Sequence, residues 1–137
     1  MRVVTGKPLT ARQRRRIARA VETAERCCGL QMCVYLGPTD DNPRAYAERL
    51  LAESGAVDRP AVLVLVTPQR RHFEIVTSPA ARSRVSDDAC AIAGVSMSAS
   101  FAVGDVTGGI AEGVRLIAQY AGAGVESGEE LPDVLGA

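Results

Sequence analysis

The stretch that decides the fold is Ala61-Val62-Leu63-Val64-Leu65-Val66, a continuous aliphatic run near the middle of the chain. Its length suits a β-strand. Apolar residues at every position, rather than at alternate positions, are typical of a central strand that is covered on both faces of its sheet. The run therefore predicts a sheet with helices packed on both faces, which places the chain in the α/β class.

Two further strands are predicted beside this central run. Residues 31–36 alternate apolar and more polar side chains, and a helix that begins at Asn42-Pro43 and ends at Ser54-Gly55 joins them to residues 61–66. Strands connected through a helix run parallel, with a right-handed crossover. Residues 72–77 follow the central run after a short turn, so they predict an antiparallel hairpin partner.

Three more helices are predicted from their capping residues. The first spans residues 10–29, because Thr10-x-x-Gln13 has the form of a capping box. The second spans residues 86–97, and the third begins at Asp105 or Thr107. Together the elements predict a small three-layer α/β sandwich with a mixed three- to four-stranded sheet and helices on both faces.

The composition predicts one soluble domain. The chain has 137 residues, with 47% apolar and 23% charged residues, which excludes a disordered chain, and it lacks an apolar run long enough to span a membrane. Arginines lie where a signal peptide would need apolar residues, so we expect a cytoplasmic location. We expect the domain to cover residues 1–121 and a flexible acidic C-terminal tail to cover residues 122–137.

Familiar catalytic motifs are absent from the sequence, and no catalytic or cofactor-binding residue is assigned. The single histidine, His72, follows Arg70 and Arg71 at a strand start, where a surface residue is expected. The four cysteines form no CxxC pair and have apolar neighbours, so we predict reduced thiols in the core. They are Cys27, Cys28, Cys33 and Cys90.

Charge is balanced overall but polarised along the chain. Residues 1–20 carry seven basic groups and no acid, whereas residues 105–137 carry six acids and one arginine. A stripe of arginines lies on one face of the first helix: Arg12, Arg15, Arg16 and Arg19. The stripe is either a solvated helix face or a docking surface for carboxylates or phosphates.

The acidic C-terminal tail is one candidate partner of this stripe. It carries Glu126, Glu129, Glu130 and Asp133, and it would bind in cis or from another subunit, with weak self-association as the consequence. Nucleic acid is a weaker candidate, because the chain has two Phe, three Tyr and no Trp for base stacking. Sequence-specific nucleic-acid binding is not expected.

Several short patterns point to a known family when they are taken in order. The most specific is Phe101-x-x-Gly104-Asp105-x-x-x-Gly109-x-x-x-Gly113-Val114, and others are Cys28-Gly29-Leu30-Gln31-Met32, Tyr46-Ala47 and Val85-Ser86-Asp87-Asp88. Over residues 9–121 the chain resembles the TPM domain, the fold of a thylakoid acid phosphatase and of many bacterial membrane-associated proteins. Because arginine greatly outnumbers lysine, we expect an actinobacterial branch of unknown function.

The resemblance implies an acidic site for a divalent metal, but two of its loops differ here. The chain has Asp58-Arg59-Pro60 where the family commonly has Asp-Asn-Gly, and Thr77-Ser78-Pro79-Ala80 where it has a Gly-x-Gly turn. Asp58 and Asp87 transfer by position, with Asp88 as a neighbour, and these carboxylates would bind Ca²⁺ or Mg²⁺. Alternatively, Asp87 and Asp88 stabilise a helix N-terminus and Asp58 belongs to a turn.

Two functions follow from these observations. The first is a non-catalytic or degenerate TPM-like module that binds an unknown protein or a small ligand, because the fold motifs are present while the site loops are altered. The second is a weak divalent-metal-dependent acid phosphatase that uses the acidic loop cluster.

Overall fold

The computed structural model describes residues 2–5, 9–55 and 58–122. The strands are β1 (Arg2–Thr5), β2 (Gln31–Leu36), β3 (Ala61–Thr67) and β4 (His72–Thr77). The helices are α1 (Ala11–Cys28), α2 (Pro43–Glu53), α3 (Asp87–Ala102) and α4 (Val106–Ala121). Two short 3₁₀ turns, Pro68–Arg70 and Pro79–Ala81, follow β3 and β4.

The four strands form one mixed sheet in the order β1-β2-β3-β4. Strands β2 and β3 are parallel, with Val34 opposite Val64, and β3 and β4 are antiparallel, with Val64 opposite Ile75. Both pairings confirm the prediction. Strand β1, which pairs in parallel with β2, was not predicted from the sequence. Its four residues are too few to show an alternating pattern.

The helices cover both faces of the sheet, as the aliphatic run predicts. All seven residues of β3 are buried. Val62, Val64 and Val66 belong to the core beneath α1, α3 and α4, whereas Leu63 and Leu65 pack with α2 on the other face. Among the described residues, no helix is both long and apolar enough to cross a membrane.

The helix ends follow the capping residues closely. Thr10 and Gln13 form the predicted capping box, with both hydrogen bonds at 3.0 Å, and Gly29 ends α1 with a φ of 75°. Asp105, and not Thr107, is the N-cap of α4, because its carboxylate accepts a hydrogen bond from the Gly108 amide at 2.9 Å.

Helix α3 is longer than the predicted span of residues 86–97. It continues past Met97 to Ala102, because the intervening serines and alanines contain no helix breaker. The chain then turns at Gly104, whose φ of 82° favours glycine. Helix α4 ends at Ala121 with Gly122 as its C-cap, and the rest of the predicted acidic tail lies outside the described residues.

The cysteines are all free thiols, but the prediction that all four lie in the core is wrong. Cys28 and Cys33 are buried and Cys90 is half-buried, whereas Cys27 is exposed. Successive residues of a helix point about 100° apart, so Cys28 faces the sheet while Cys27 faces outward. Burial raises the pKa of the Cys28 thiol.

Glycine in α4 allows α3 to approach closely. A Cβ on Gly113 would lie 2.5 Å from the Met97 Sδ atom and 2.7 Å from its Cγ atom, and the Met97 side chain is fully buried. One on Gly109 would lie 2.6 Å from the Phe101 ring. The backbones of α3 and α4 are therefore closer here than a side chain at either position would permit.

We expect Gly113→Ala to destabilise the protein by about 1–3 kcal/mol, because the added methyl group overpacks the contact with Met97. Helix propensity alone would stabilise the variant by about 1 kcal/mol, so a fall in the free energy of unfolding isolates the steric effect. Urea denaturation measures it. Unchanged or increased stability would contradict the close α3–α4 contact.

Candidate functional site

A groove of about 890 Å³ lies on the surface between α1 and α4. Small residues of both helices line its floor: Ala20, Ala24, Gly108, Ala111 and Ala118. The predicted arginine stripe lines the groove from α1, with Arg12, Arg15, Arg16 and Arg19. The groove therefore combines an apolar floor with a strongly basic wall.

The two helices that form this groove run parallel, and one arginine ties their C-terminal ends together. The Arg84 guanidinium donates hydrogen bonds to the carbonyl oxygens of Cys28 at 2.7 Å and Ala121 at 3.2 Å. At the other end, Arg12 shares a smaller depression with Asp105 at the start of α4. The hydrogen bonds from Arg84 satisfy carbonyl groups at the two C-terminal ends that have no partner within either helix.

The opposite wall of the groove comes from α4. Arg115 pairs with Glu112 at 2.6 Å and donates a hydrogen bond to Gln119 at 3.0 Å. Hydrogen bonding to Arg115 lowers the pKa of the Glu112 carboxyl group. This wall was not predicted from the sequence, although Gly108, Glu112, Arg115 and Gln119 share one helical face at spacings of three and four residues.

The groove is strongly positive. Its lining contains five arginines and one glutamate, a net charge of +4. The four arginines of the α1 stripe are exposed, and none forms an ion pair with a carboxylate of the described residues. Their positive charge is therefore available to an anionic ligand.

The acidic residues of the predicted metal site lie elsewhere. Asp58 is exposed in the turn before β3, and Asp87 and Asp88 are exposed in the first turn of α3. Within residues 9–55 and 58–122, no group of three or more His, Cys, Asp or Glu side chains is close enough to hold a metal ion. A Ca²⁺ or Mg²⁺ site on these carboxylates has no support from this geometry and remains a prediction.

Ser78, in the loop after β4, has a structural role. Its hydroxyl group accepts a hydrogen bond from the Ala61 amide at 3.0 Å and donates one to the Arg59 carbonyl at 2.6 Å. The side chain is 2% exposed. These bonds hold the Asp58 turn and the Ser78 loop at the same end of the sheet.

Other titratable groups form a surface network on the face of the sheet that α2 covers. His72 is exposed, and its Nε2 atom lies 2.6 Å from a carboxylate oxygen of Glu74, which also pairs with Arg44 at 3.3 Å. At the carboxyl end of β2, Asp40 accepts a hydrogen bond from Arg49 at 2.8 Å, which lowers the pKa of Asp40. Because β2 and β3 are parallel, Asp40 lies at the opposite end of the sheet from Asp58.

The chain matches a known protein family over most of its length. A family model described as a domain of unknown function, DUF5130, matches residues 2–118. The chain belongs to this family. The matched range contains the groove helices α1 and nearly all of α4, so the basic groove belongs to the DUF5130 domain itself.

Relatives of the DUF5130 domain are found in mycobacteria. The uncharacterized proteins MT2543 and Rv2468c of Mycobacterium tuberculosis are each 26% identical to it over 98 residues, which cover 72% of this chain. The chain spans 58% of the length of these relatives.

Solved structures share the fold. The BA42 protein of Bizionia argentinensis superposes with a TM-score of 0.77 at 20% identity, covering 85% of this chain and 83% of its own. The N-terminal domain of a P. gingivalis protein superposes with a TM-score of 0.74 at 17% identity, covering 86% of this chain and 80% of its own. The N-terminal domain of cg2496 from Corynebacterium glutamicum superposes with a TM-score of 0.72 at 12% identity, covering 90% of this chain and 81% of its own. At these identities the similarity establishes the fold alone.

We expect Ser78→Ala to destabilise the DUF5130 domain by about 1–3 kcal/mol, because the buried Ala61 amide loses its hydrogen-bond partner. Ser83→Ala is the matched control, since Ser83 is exposed and its side chain makes no hydrogen bond to the described residues. Chemical denaturation compares the two variants. Equal stabilities would contradict the structural role of Ser78.

The carboxylates at the start of α3 are expected to act on the helix and not on a metal. Asp87→Asn and Asp88→Asn should each lower stability by about 0.3–1 kcal/mol, because an acid in the first turn interacts favourably with the helix dipole. Millimolar Ca²⁺ or Mg²⁺ should leave the Tm of the wild type unchanged. A cation-dependent rise in Tm that is lost in Asp87→Ala and Asp58→Ala would instead establish the metal site.

Proposed function

We propose that this domain is a non-catalytic binding module that holds an acidic, partly apolar peptide in the groove between α1 and α4. The observation that carries the proposal is the arginine stripe, which has no carboxylate partner among the described residues, beside a floor of small apolar residues. Arginine guanidinium groups bind carboxylates with paired hydrogen bonds, and the alanine floor offers apolar contact to side chains between those carboxylates.

The dimensions of the groove suit an extended chain. From Arg12 to Cys27 the α1 wall is about 22 Å long, given a rise of about 1.5 Å per residue. Arg12 and Arg16 are about 6 Å apart along the axis by the same rise, and alternate side chains of an extended peptide are about 6.6 Å apart. Carboxylates on one side of a peptide therefore match the spacing of Arg12 and Arg16, and equally that of Arg15 and Arg19.

Other anionic partners fit this surface less well. The groove lining contains no aromatic residue on which a nucleic-acid base would stack. A membrane surface is broad, whereas the apolar floor here is recessed between two helices. Both remain outcomes of the test below.

The electrostatic contribution is modest for each contact and acts on association. The arginines are exposed, so each ion pair with a ligand contributes about 0–1 kcal/mol and is weakened by salt. A net positive groove also steers an acidic ligand toward the site and raises its association rate. Binding should therefore be strongest at low ionic strength.

The metal-dependent acid phosphatase remains an alternative prediction, together with the finer resemblance to the TPM domain. Its motivation is the position of Asp58 and Asp87, which resembles the family's acidic site. Asp87 lines a second groove of about 780 Å³ together with Ser78, Arg82 and Arg44, but within the described residues no group of three or more His, Cys, Asp or Glu side chains could hold a metal ion. Release of phosphate from an aryl phosphate that is lost in Asp87→Asn would favour it over the binding module.

We expect the wild type to bind a short fluorescein-labelled peptide rich in glutamate and leucine, as measured by fluorescence anisotropy at low salt. The same peptide with glutamine in place of glutamate should bind more weakly. Arg15→Glu combined with Arg19→Glu should weaken binding by about 10-fold or more, because each replaced charge changes an attractive contact into a repulsive one. The Tm of this variant should be nearly unchanged, since these arginines are exposed.

Arg14→Glu combined with Arg82→Glu is the matched control, because it makes the same change in net charge at exposed arginines that do not line the groove. Equal loss of binding in both double variants would indicate a general charge effect and contradict the groove. An oligonucleotide or anionic vesicles that bind more tightly than the peptide, and that lose binding in the Arg15→Glu/Arg19→Glu variant, would contradict the peptide as the ligand and indicate that partner instead.

A further inference from the structure

The chain leaves α4 directly beside the groove. Helix α4 ends at Ala121, and Arg84 holds the Ala121 and Gly122 carbonyl groups next to the C-terminal end of α1. Cys27 lines the groove at this end. Because α1 and α4 are parallel, a chain that continues from Gly122 starts at one end of the groove and has the arginines ahead of it if it turns back.

The backbone at Gly122 suits such a turn. Its φ is 81°, a conformation that L side chains rarely adopt, and Gly124 follows two residues later. Two glycines within three residues permit a reversal without steric cost from a side chain. The chain can therefore leave α4 in a direction that runs back along the groove.

The sequence of residues 123–137 complements the groove in charge and in polarity. It carries four acids and no basic residue: Glu126, Glu129, Glu130 and Asp133. Apolar residues are interspersed with them: Val125, Leu131, Val134 and Leu135. The groove presents the reverse arrangement, with a net charge of +4 around a floor of alanine and glycine.

The reach of the chain brings these acids level with the arginines. Along α1, Arg19 is about 12 Å and Arg12 about 22 Å from Cys27, at about 1.5 Å per residue. If residues 122–124 make the turn, an extended chain that advances about 3.3 Å per residue reaches about 17 Å at Glu129 and about 20 Å at Glu130. The second and third acids of the segment therefore come within the span of the arginine stripe.

We propose that residues 123–137 occupy the α1–α4 groove of their own chain and compete with external acidic peptides. This inference rests on the proposed binding function of the groove. Covalent connection gives the segment an effective concentration of about a millimolar or more, so contacts that are individually weak are sufficient for substantial occupancy. The segment thus acts as an autoinhibitory ligand.

The test compares the wild-type chain of residues 1–137 with the variant Glu126→Gln/Glu129→Gln/Glu130→Gln. The probe is the fluorescein-labelled glutamate- and leucine-rich peptide at low salt. We expect the variant to bind it about 3- to 10-fold more tightly, because a groove that is filled for roughly two thirds to nine tenths of the time reduces the apparent affinity by that factor. Adding Arg15→Glu and Arg19→Glu to the variant should abolish the gain.

The matched control is Asp41→Asn/Glu53→Gln/Asp58→Asn, which raises the net charge equally at three exposed acids outside the groove. Equal gains in the control and the tail variant would overturn the autoinhibitory role. If wild type and tail variant bind the probe equally well, the tail inference fails and the proposed function stands. If neither binds the probe, the proposed function itself fails.

Sedimentation velocity separates a segment bound in cis from one bound to a second copy. A monomer at all concentrations, in the wild type and in the tail variant, is the expected result. Concentration-dependent dimers of the wild type that disappear in the tail variant would overturn binding in cis in favour of exchange between two chains.

Discussion

The pairing of β2 with β3 is the constraint on which the rest of the structure depends. The two strands run parallel to each other, and β3 is buried on both faces. Apolar layers must therefore cover the sheet on each side. The connection between parallel strands supplies one of these layers, α2. The remaining helices then have to cover the other face together.

That second requirement creates the groove. Three helices share the face above Val62, Val64 and Val66, and they fit because α4 carries glycine where α3 approaches it. Helix α4 contacts α1 through small residues as well, such as Ala24 and Ala118. Small side chains between two helices leave a recess at the surface, and the long arginine side chains of α1 form its wall. The basic groove is thus a consequence of how a crowded helical layer is packed.

Polar side chains support the backbone at the ends of several elements. Ser78 supports the start of β3 through its hydrogen bonds to Ala61 and Arg59. Arg84 likewise satisfies the carbonyl groups at the ends of α1 and α4. Polar side chains in this region therefore stabilise backbone groups.

The sequence by itself determined the four helices, three of the strands and the pairing of those three strands. The aliphatic run at residues 61–66 predicted a doubly covered strand, and the caps at Thr10, Asn42 and Ser86 located helix starts, because caps and periodicity are local properties. It also placed the four arginines on one helix face. It did not reveal β1, whose four residues form a strand through pairing with β2.

The tertiary structure alone decided what the arginine face meets. A helical pattern tells which residues share a face, but not which helix lies beside that face or in which direction it runs. The parallel packing of α4 against α1 turned a stripe of exposed charge into the wall of a groove, and it placed Gly122 at the end of that groove. The same contacts left Asp58 and Asp87 as exposed surface residues, because side chains distant in sequence come together only where the packing of whole elements brings them.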